Sequence, residues 1–146
     1  MKKRTDNKKV YLENDYYIKP SFYDLDPMGV VWHGNYIKFM EQAREAMLSI
    51  IDYDYDIMTA KGVMWPIVKL EIKYINSIRL NQNVRIHTEI TEYLNGMKTE
   101  YTFYDENDKV ISKSSTLQMP IDSETRKGFL NSPKDFVERI EKLNKL

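Results

Sequence analysis

Between Tyr36 and Ile51 the apolar residues recur at three- and four-residue spacing instead of alternating. Tyr36, Ile37, Phe39, Met40, Ala43, Ala46, Met47, Leu48, Ile50 and Ile51, set at about 100° per residue, cover an arc of roughly 200°. A helix resting on one sheet face needs an arc nearer ~100°. The pattern therefore predicts a helix that starts near His33 to Asn35 and is enclosed on most sides. Lys38, Gln42, Glu45 and Ser49 form its polar edge. Arg44 intrudes into the apolar arc and needs a partner, and Glu41, one turn earlier, is spaced to pair with it.

After Gly62 the period changes from helical to alternating. Val68, Leu70, Ile72 and Tyr74 alternate with Ile67, Lys69, Glu71 and Lys73, predicting a half-buried strand within Trp65 to Tyr74. Alternation returns in Val84 to Tyr93, then in Met97 to Tyr104 with Met97, Thr99, Tyr101 and Phe103 on one face. Asn95-Gly96 between them is a two-residue hairpin signal. A turn at Asp105 to Lys109 leads to a further strand, Val110 to Met119, whose Ser112, Ser114 and Thr116 leave one face small. Tyr16 to Tyr23 reads as an edge strand or a strand end, because Pro20 removes a ladder donor. Asp52 to Gly62 is a connection with one helical turn at Ile57 to Lys61. Pro133 to Leu143 is a terminal helix with Ser132 as its N-cap. The polar stretch from Met1 to Asn14 reads as a flexible tail, leaving 15–146 as a single domain.

The order is strand, long helix, a meander of four strands and a terminal helix. It lacks the strand–helix alternation of a parallel doubly wound sheet. The fold class expected is α+β: an antiparallel sheet curled around one central helix. Such a sheet leaves an edge, so a dimer that continues it is expected.

Composition then narrows the function classes. Lys+Arg and Asp+Glu balance at 22 each, so no global charge argues for nucleic acid or an anionic membrane surface. The absence of Cys excludes a disulfide framework, a thiolate metal site and a cysteine nucleophile. With only two His, a transition-metal site is poorly supplied, and no metal is expected. No apolar run approaches the ~20 residues of a membrane span, and no apolar segment follows the basic MKKRTDNKK start, so a cytoplasmic protein is expected. Asp52-Tyr53-Asp54-Tyr55-Asp56 opens like a calcium loop, but Ile57 stands where the glycine belongs and Val63 where the last glutamate belongs.

The candidate chemistry lies in the segment before the helix, YDLDPMGVVWHGNY, Tyr23 to Tyr36. Asp24 and Asp26 have a plain reading, an Asx-turn with carboxylates near the positive end of a helix. A phosphoryl-transfer or metal reading of Asp-x-Asp needs a βαβ setting that the downstream strands do not provide. A third reading uses the whole segment. A helix start carries free N–H groups that can polarise a carbonyl oxygen. Asp26, seven residues before His33 and flanked by Pro27 and Gly29, can face the same carbonyl as nucleophile or general base. Hydrolysis of an activated acyl group needs that pairing and neither metal nor thiol. His33 also has a packing reading, and His87 reads as a solvated strand residue.

The run DLDPMGVVWHGNY followed by FMEQARE, with GVMWPIV at Gly62 to Val68, resembles the hotdog-fold acyl-CoA thioesterases of the 4-hydroxybenzoyl-CoA thioesterase type. In weaker form the resemblance extends over most of residues 16–143. It implies a hotdog fold and an acyl-CoA substrate, with no cofactor beyond the CoA moiety of that substrate. It also implies a homodimer or homotetramer with active sites at subunit interfaces. By the same resemblance Asp26 is the catalytic carboxylate and the His33 backbone N–H binds the thioester carbonyl. Tyr23, Gly29, Val30, Gly34 and Trp65 become candidate substrate contacts, and Lys98 a candidate phosphate contact. Trp32 and Trp65 also fit a core or interface role. Met28, after Asp-Pro, departs from the small residue the family often has there. A non-catalytic acyl-CoA-binding or dimerisation module on the same fold is the alternative.

Overall fold

The computed structural model describes residues 8–146. Its strands are β1 (Leu12–Ile18), β2 (Val63–Met64), β3 (Ile67–Tyr74), β4 (Val84–Glu92), β5 (Met97–Tyr104), β6 (Val110–Gln118) and β7 (Ile121–Asp122). Its α-helices are α1 (Asn35–Leu48), α2 (Tyr55–Ala60) and α3 (Lys134–Asn144). Five strands form one antiparallel sheet in the order β1-β4-β5-β6-β3, and β2 pairs with β7 as a separate two-stranded ribbon. This is the α+β arrangement expected from the pattern, with α1 lying on the inner face of the sheet against β1 and β4.

Alternation explains the strands. In β4, Val84, Ile86, Thr88 and Ile90 are buried while Arg85, His87 and Glu89 reach the outer face. In β5 the same inner face carries Met97, Thr99, Tyr101 and Phe103. Opposite Tyr101 and Phe103 stand Ser114 and Ser112 of β6, small side chains that leave room for the two rings. The helix presents Tyr36, Phe39, Met40, Ala43, Met47 and Leu48 to this floor. Met40 and Met47 are almost wholly removed from water, each contributing on the order of 2 kcal/mol of transfer free energy. Two core clusters result. One joins the start of α1 to Ile86, Tyr101, Phe103 and Ile111. The other joins its end to Tyr53, Trp65, Phe136 and Ile140.

Arg44 has its partners. Its guanidinium pairs with Glu41 at 2.7 Å and donates to the Tyr101 hydroxyl at 2.9 Å, and Tyr101 in turn hydrogen-bonds Thr116 at 2.8 Å. The expected i,i+3 pair is present, and the buried end of the network comes from β5 and β6.

Several expectations are corrected. The first strand opens at Leu12, inside the stretch read as a flexible tail. Leu12 is buried, Leu12–Ile18 pair with Val84–Ile90, and Lys8 already bridges Glu89 and Glu100. Charges at Glu13 and Asp15 on the outer face made this edge strand look polar. Residues 1–7 of that tail lie outside the described residues. The strand expected over Tyr16 to Tyr23 already ends at Ile18; it is an edge strand, and Pro20 lies just past its end, as its missing donor requires, before a 3-10 turn at Phe22–Asp24. The four later strands are not a simple meander, since β3 crosses the sheet to pair with β6. The Asn95-Gly96 hairpin is a longer connection from Glu92 to Met97, with Gly96 at φ +111°. Pro133 occupies the N-cap of α3, while the Ser132 hydroxyl accepts from the Gly96 N–H. The apolar arc of α1 is not closed within one chain, because Ile37 and Ile50 remain exposed.

Candidate active site

The segment from Phe22 to Gly34 is a short ribbon that doubles back onto the start of α1. The Asp26 N–H donates to the Val30 carbonyl at 2.8 Å, and the Gly29 N–H donates to the Asp26 carbonyl at 2.9 Å. Pro27 and Met28 form the corner, and Gly29 closes it at φ +81°, a left-handed conformation that favours glycine. The Asp26 side chain is held within this turn. Its Oδ1 accepts the Met28 N–H at 2.8 Å and, more loosely, the Val30 N–H at 3.4 Å. No hydrogen bond from a described residue reaches its Oδ2. A bridge between Leu25 and Val31 continues the ribbon, so the chain returns beside Asp26 before it reaches His33.

Asp24 fastens the ribbon to the helix. Its carbonyl accepts both the Trp32 N–H and the Asn35 side-chain amide at 2.9 Å. Its buried carboxylate accepts the Ser21 N–H at 2.9 Å and pairs with Lys38. Burial pushes this carboxyl up, but the hydrogen bonds from Lys38 and Ser21 and the Lys38 charge outweigh it and hold the group below its ordinary value. At the helix entry the N–H groups of Asn35, Tyr36 and Ile37 point to the carbonyls of Trp32, His33 and Gly34. The N–H groups of His33 and Gly34 find no acceptor among the described residues. The His33 carbonyl also accepts the Tyr74 hydroxyl at 2.9 Å. Trp32 lies across Gly34 so closely that a Cβ there would come within 2.4 Å of the ring. A carboxylate with one free oxygen thus shares a ribbon with two unpaired backbone donors.

Comparison with known proteins decides the family. Residues 20–140 match the thioesterase-like superfamily, most of the chain. The chain belongs to that superfamily. Within it, the chain is 31% identical over 112 residues to YneP of Bacillus subtilis, named as a candidate acyl-CoA thioesterase; the match covers 75% of this chain and 80% of that one. Among solved structures it resembles a DHNA-CoA thioesterase of Staphylococcus aureus, with a TM-score of 0.82, 25% identity and 92% of each chain covered. It shares a fold with a second Staphylococcus aureus protein, SAV2348, solved in complex with CoA, with a TM-score of 0.81, 14% identity, and 94% of this chain and 85% of that one covered.

In this thioesterase-like chain the other expected site residues are dispersed. Tyr23 stands 81% exposed, its ring near Lys38 Nζ, and Val30 bridges to Arg79. The His33 ring lies 5.2 Å from that of Trp32 and 6.2 Å from that of Tyr74. Trp65 is buried, donating its indole N–H to the Tyr53 hydroxyl at 2.9 Å. It also lines a cavity of about 750 Å³ between the end of α1 and α2. Leu48, Met58 and Val63 give that cavity an apolar wall, and Glu41 and Arg44 sit at its side. Neither Asp26 nor His33 lines it. Lys98 lies on the outer face of the sheet in a shallow depression of mixed charge, with Lys73 and Lys113 beside Glu71 and Glu100, and neither Asp26 nor His33 lines it. Among the described residues, the one group of three metal-capable side chains is Glu13, His87 and Glu89 on the outer face of β1 and β4, where His87 is already ion-paired.

Sequence reasoning missed Lys38, Asn35 and Tyr74. Lys38 and Asn35 carried a signal, a cation and an amide within one turn of a loop with two acids. Tyr74 carried none, since its contact joins residues 41 apart.

Proposed function

We propose that this chain hydrolyses acyl-CoA thioesters to free acid and CoA. Asp26 acts as nucleophile or general base, and the N–H groups at the α1 entry bind the thioester carbonyl. One observation carries the reading: the Asp26 carboxylate, with a free oxygen, shares a hydrogen-bonded ribbon with the unpaired N–H groups of His33 and Gly34. Donors fixed before the reaction stabilise the developing oxyanion without reorganising. The carboxylate either attacks the carbonyl carbon and expels the CoA thiolate, leaving a mixed anhydride that water then cleaves to the free acid, or takes the proton from a water that attacks the carbon and expels the thiolate. The names of the relatives support the substrate class, and the CoA complex of a protein of the same fold supports a CoA moiety on this scaffold. Lys98, with Lys73 and Lys113, remains the candidate contact for the CoA phosphates.

The working form is a homodimer or homotetramer in the cytoplasm, where acyl-CoA is found. Within one chain the apolar cavity and the Asp26 ribbon are separate. Phe22, Tyr23 and Met28 around the ribbon are 79%, 81% and 81% exposed, more apolar surface than a lone loop leaves open without cause. A second copy packed there covers that surface and brings an acyl cavity to the ribbon.

A second reading rests on the same hydrogen bonds. Asp26 Oδ1 already holds the turn, which suits a non-catalytic acyl-CoA-binding module. Free-thiol release from short, long and aromatic acyl-CoAs separates the two. Asp26→Asn retains an acceptor for the Met28 and Val30 N–H groups but not the anionic carboxylate. Hydrolysis predicts a loss of at least ~100-fold with melting temperature and oligomeric state preserved. Turnover equal to that of the parent rules out the role given to Asp26, and saturable binding without thiol release selects the module.

A further inference from the structure

We infer that Tyr74, on the edge strand β3, is a positioning residue for the reaction, holding the His33–Gly34 peptide so that the Gly34 N–H is aimed at the substrate carbonyl. The inference rests on the hydrolase reading above and adds to it a residue 41 positions away from the helix entry.

The carbonyl of His33 and the N–H of Gly34 belong to one planar trans unit and point in opposite directions. Fixing the carbonyl therefore fixes the donor. Among the backbone donors of the described residues the His33 carbonyl has a long bond from the Tyr36 N–H, 3.4 Å, and the next one, Ile37 N–H to Gly34 carbonyl, is 3.3 Å. The first turn of α1 is loosely closed, and unassisted it would fray. The Tyr74 hydroxyl supplies a firmer bond to the same carbonyl at 2.9 Å. Burial pushes the Tyr74 hydroxyl above its ordinary value, so it remains a donor throughout the neutral range.

Tyr74 is itself held. Its ring meets that of Tyr36 edge-on at 4.9 Å, and Tyr36 packs on Phe103 at 5.5 Å in the core of the sheet. The main chain of Tyr74 is registered opposite Ser112 of β6. The hydroxyl thus reaches the helix entry from the paired end of a strand, which supports a site more accurately than a loop does. The Trp32 ring lies against the Cα of Gly34. The donor is flanked by Tyr74 and Trp32, and its N–H has no acceptor among the described residues.

The test compares Tyr74→Phe with the parent. Phenylalanine keeps the ring contacts and removes the hydrogen bond. Losing an oxyanion donor outright costs roughly 10²–10³ in kcat; a donor left in place but loosened is expected to cost roughly tenfold. The proposal expects kcat to fall by about that factor, with KM within about twofold and melting temperature and oligomeric state unchanged. Tyr17→Phe, at an exposed position of β1 away from the ribbon and the cavity, is the control, and its kcat is expected to match the parent. Equal kcat in Tyr74→Phe, or an effect on KM alone, overturns the proposal. Amide spectra of 15N-labelled protein read the same geometry without turnover. Tyr74→Phe is expected to shift the Gly34 amide resonance, whose peptide carbonyl loses its hydroxyl partner, and an unchanged Gly34 amide overturns the proposal whether or not any acyl-CoA is hydrolysed. Absence of thiol release from the parent, with the Gly34 amide shifted in the variant, locates the failure in the hydrolase reading instead.

Discussion

The ammonium of Lys38, near the start of α1, meets the buried carboxylate of Asp24 in the ribbon that precedes it. This ion pair does more than join two charges. Asp24 also receives the Ser21 N–H on its second oxygen and holds Trp32 and Asn35 through its carbonyl. The acid stands near the positive end of the helix, where a carboxylate is favoured. The ribbon that carries Asp26 is therefore anchored through its neighbour two residues earlier.

Replacing Asp24 by Ala leaves the Ser21 N–H and the Lys38 ammonium without their acceptor. The expected cost is about 1–3 kcal/mol, read as a lower midpoint in urea unfolding. The pH dependence has a definite sign. The folded-state carboxyl is held below its ordinary value of 3.8, so the stabilisation is present above that value and is lost as pH falls through the lower folded value. The stability gap between parent and Asp24→Asn should be constant near neutrality and shrink only in strong acid. A gap that closes already near pH 6 contradicts this assignment.

Gly34 is a case of close approach, not of unusual backbone, since its φ is −68°. An added Cβ would meet the far edge of the Trp32 ring. That ring is half exposed and can swing away, so Gly34→Ala should cost under about 1 kcal/mol in stability. The displaced indole should instead appear as a change in tryptophan emission, with Trp65 as the only other contributor. Turnover should fall as well, because the ring no longer flanks the Gly34 N–H. Unchanged emission would show that the ring stays where it is.

The helix and most strands were legible because their signals are local. Ten apolar positions between Tyr36 and Ile51 announce a buried helix by spacing alone, and Val84 to Ile90 announce a strand by alternation. Sheet order was not legible, because β3 joins β6 through pairings such as Leu70 with Thr116 that no spacing encodes. Leu12 was hidden by the charges beside it on an edge strand. Ser132 is the right residue type for an N-cap, but its hydroxyl is taken by Gly96, a partner 36 residues away. The candidate site divides in the same way. Asp26, Gly29 and the helix start lie in one contiguous run and were found together. Tyr74 and the cavity lined by Trp65 depend on tertiary contacts and were not connected to that run in advance.

Arg44 tests how far a buried polar network specifies the packing of α1. Its charge is met by Glu41 and its second contact by Tyr101, which leans on Thr116. Tyr101→Phe keeps the ring in the core but removes an acceptor from a buried guanidinium and a partner from a buried hydroxyl. We expect a loss of about 1–3 kcal/mol by denaturant unfolding, larger than a single exposed hydrogen bond would give. Arg44→Met should cost less than Arg44→Ala, since methionine refills the apolar volume beside Leu48 and Met58. Equal losses in the two Arg44 variants would mean that charge, not packing, dominates.

On the outer face, β1 is tied to β4 by a histidine surrounded by acids. His87 Nδ1 lies 2.7 Å from Asp15, and its Nε2 lies 3.1 Å from both Glu13 and Glu89. Arg85 and Lys8 offset part of this negative charge through Asp15 and Glu89. Burial pushes the imidazole down, but hydrogen bonds and attraction from Asp15 and Glu89 outweigh it, and the group is held above its ordinary 6.5. A raised folded value means that the stabilisation is complete below 6.5 and is lost as pH rises through the folded value. His87→Gln should therefore destabilise the protein at pH 5.5, by no more than about 1 kcal/mol for a partly exposed cluster, and match the parent once pH has risen past the folded value. Hydrogen exchange at the β1 amides should follow the same course, faster in the variant on the acid side only. A stability difference that grows toward alkaline pH would mean that neutral His87, not the imidazolium, is what holds the edge strand.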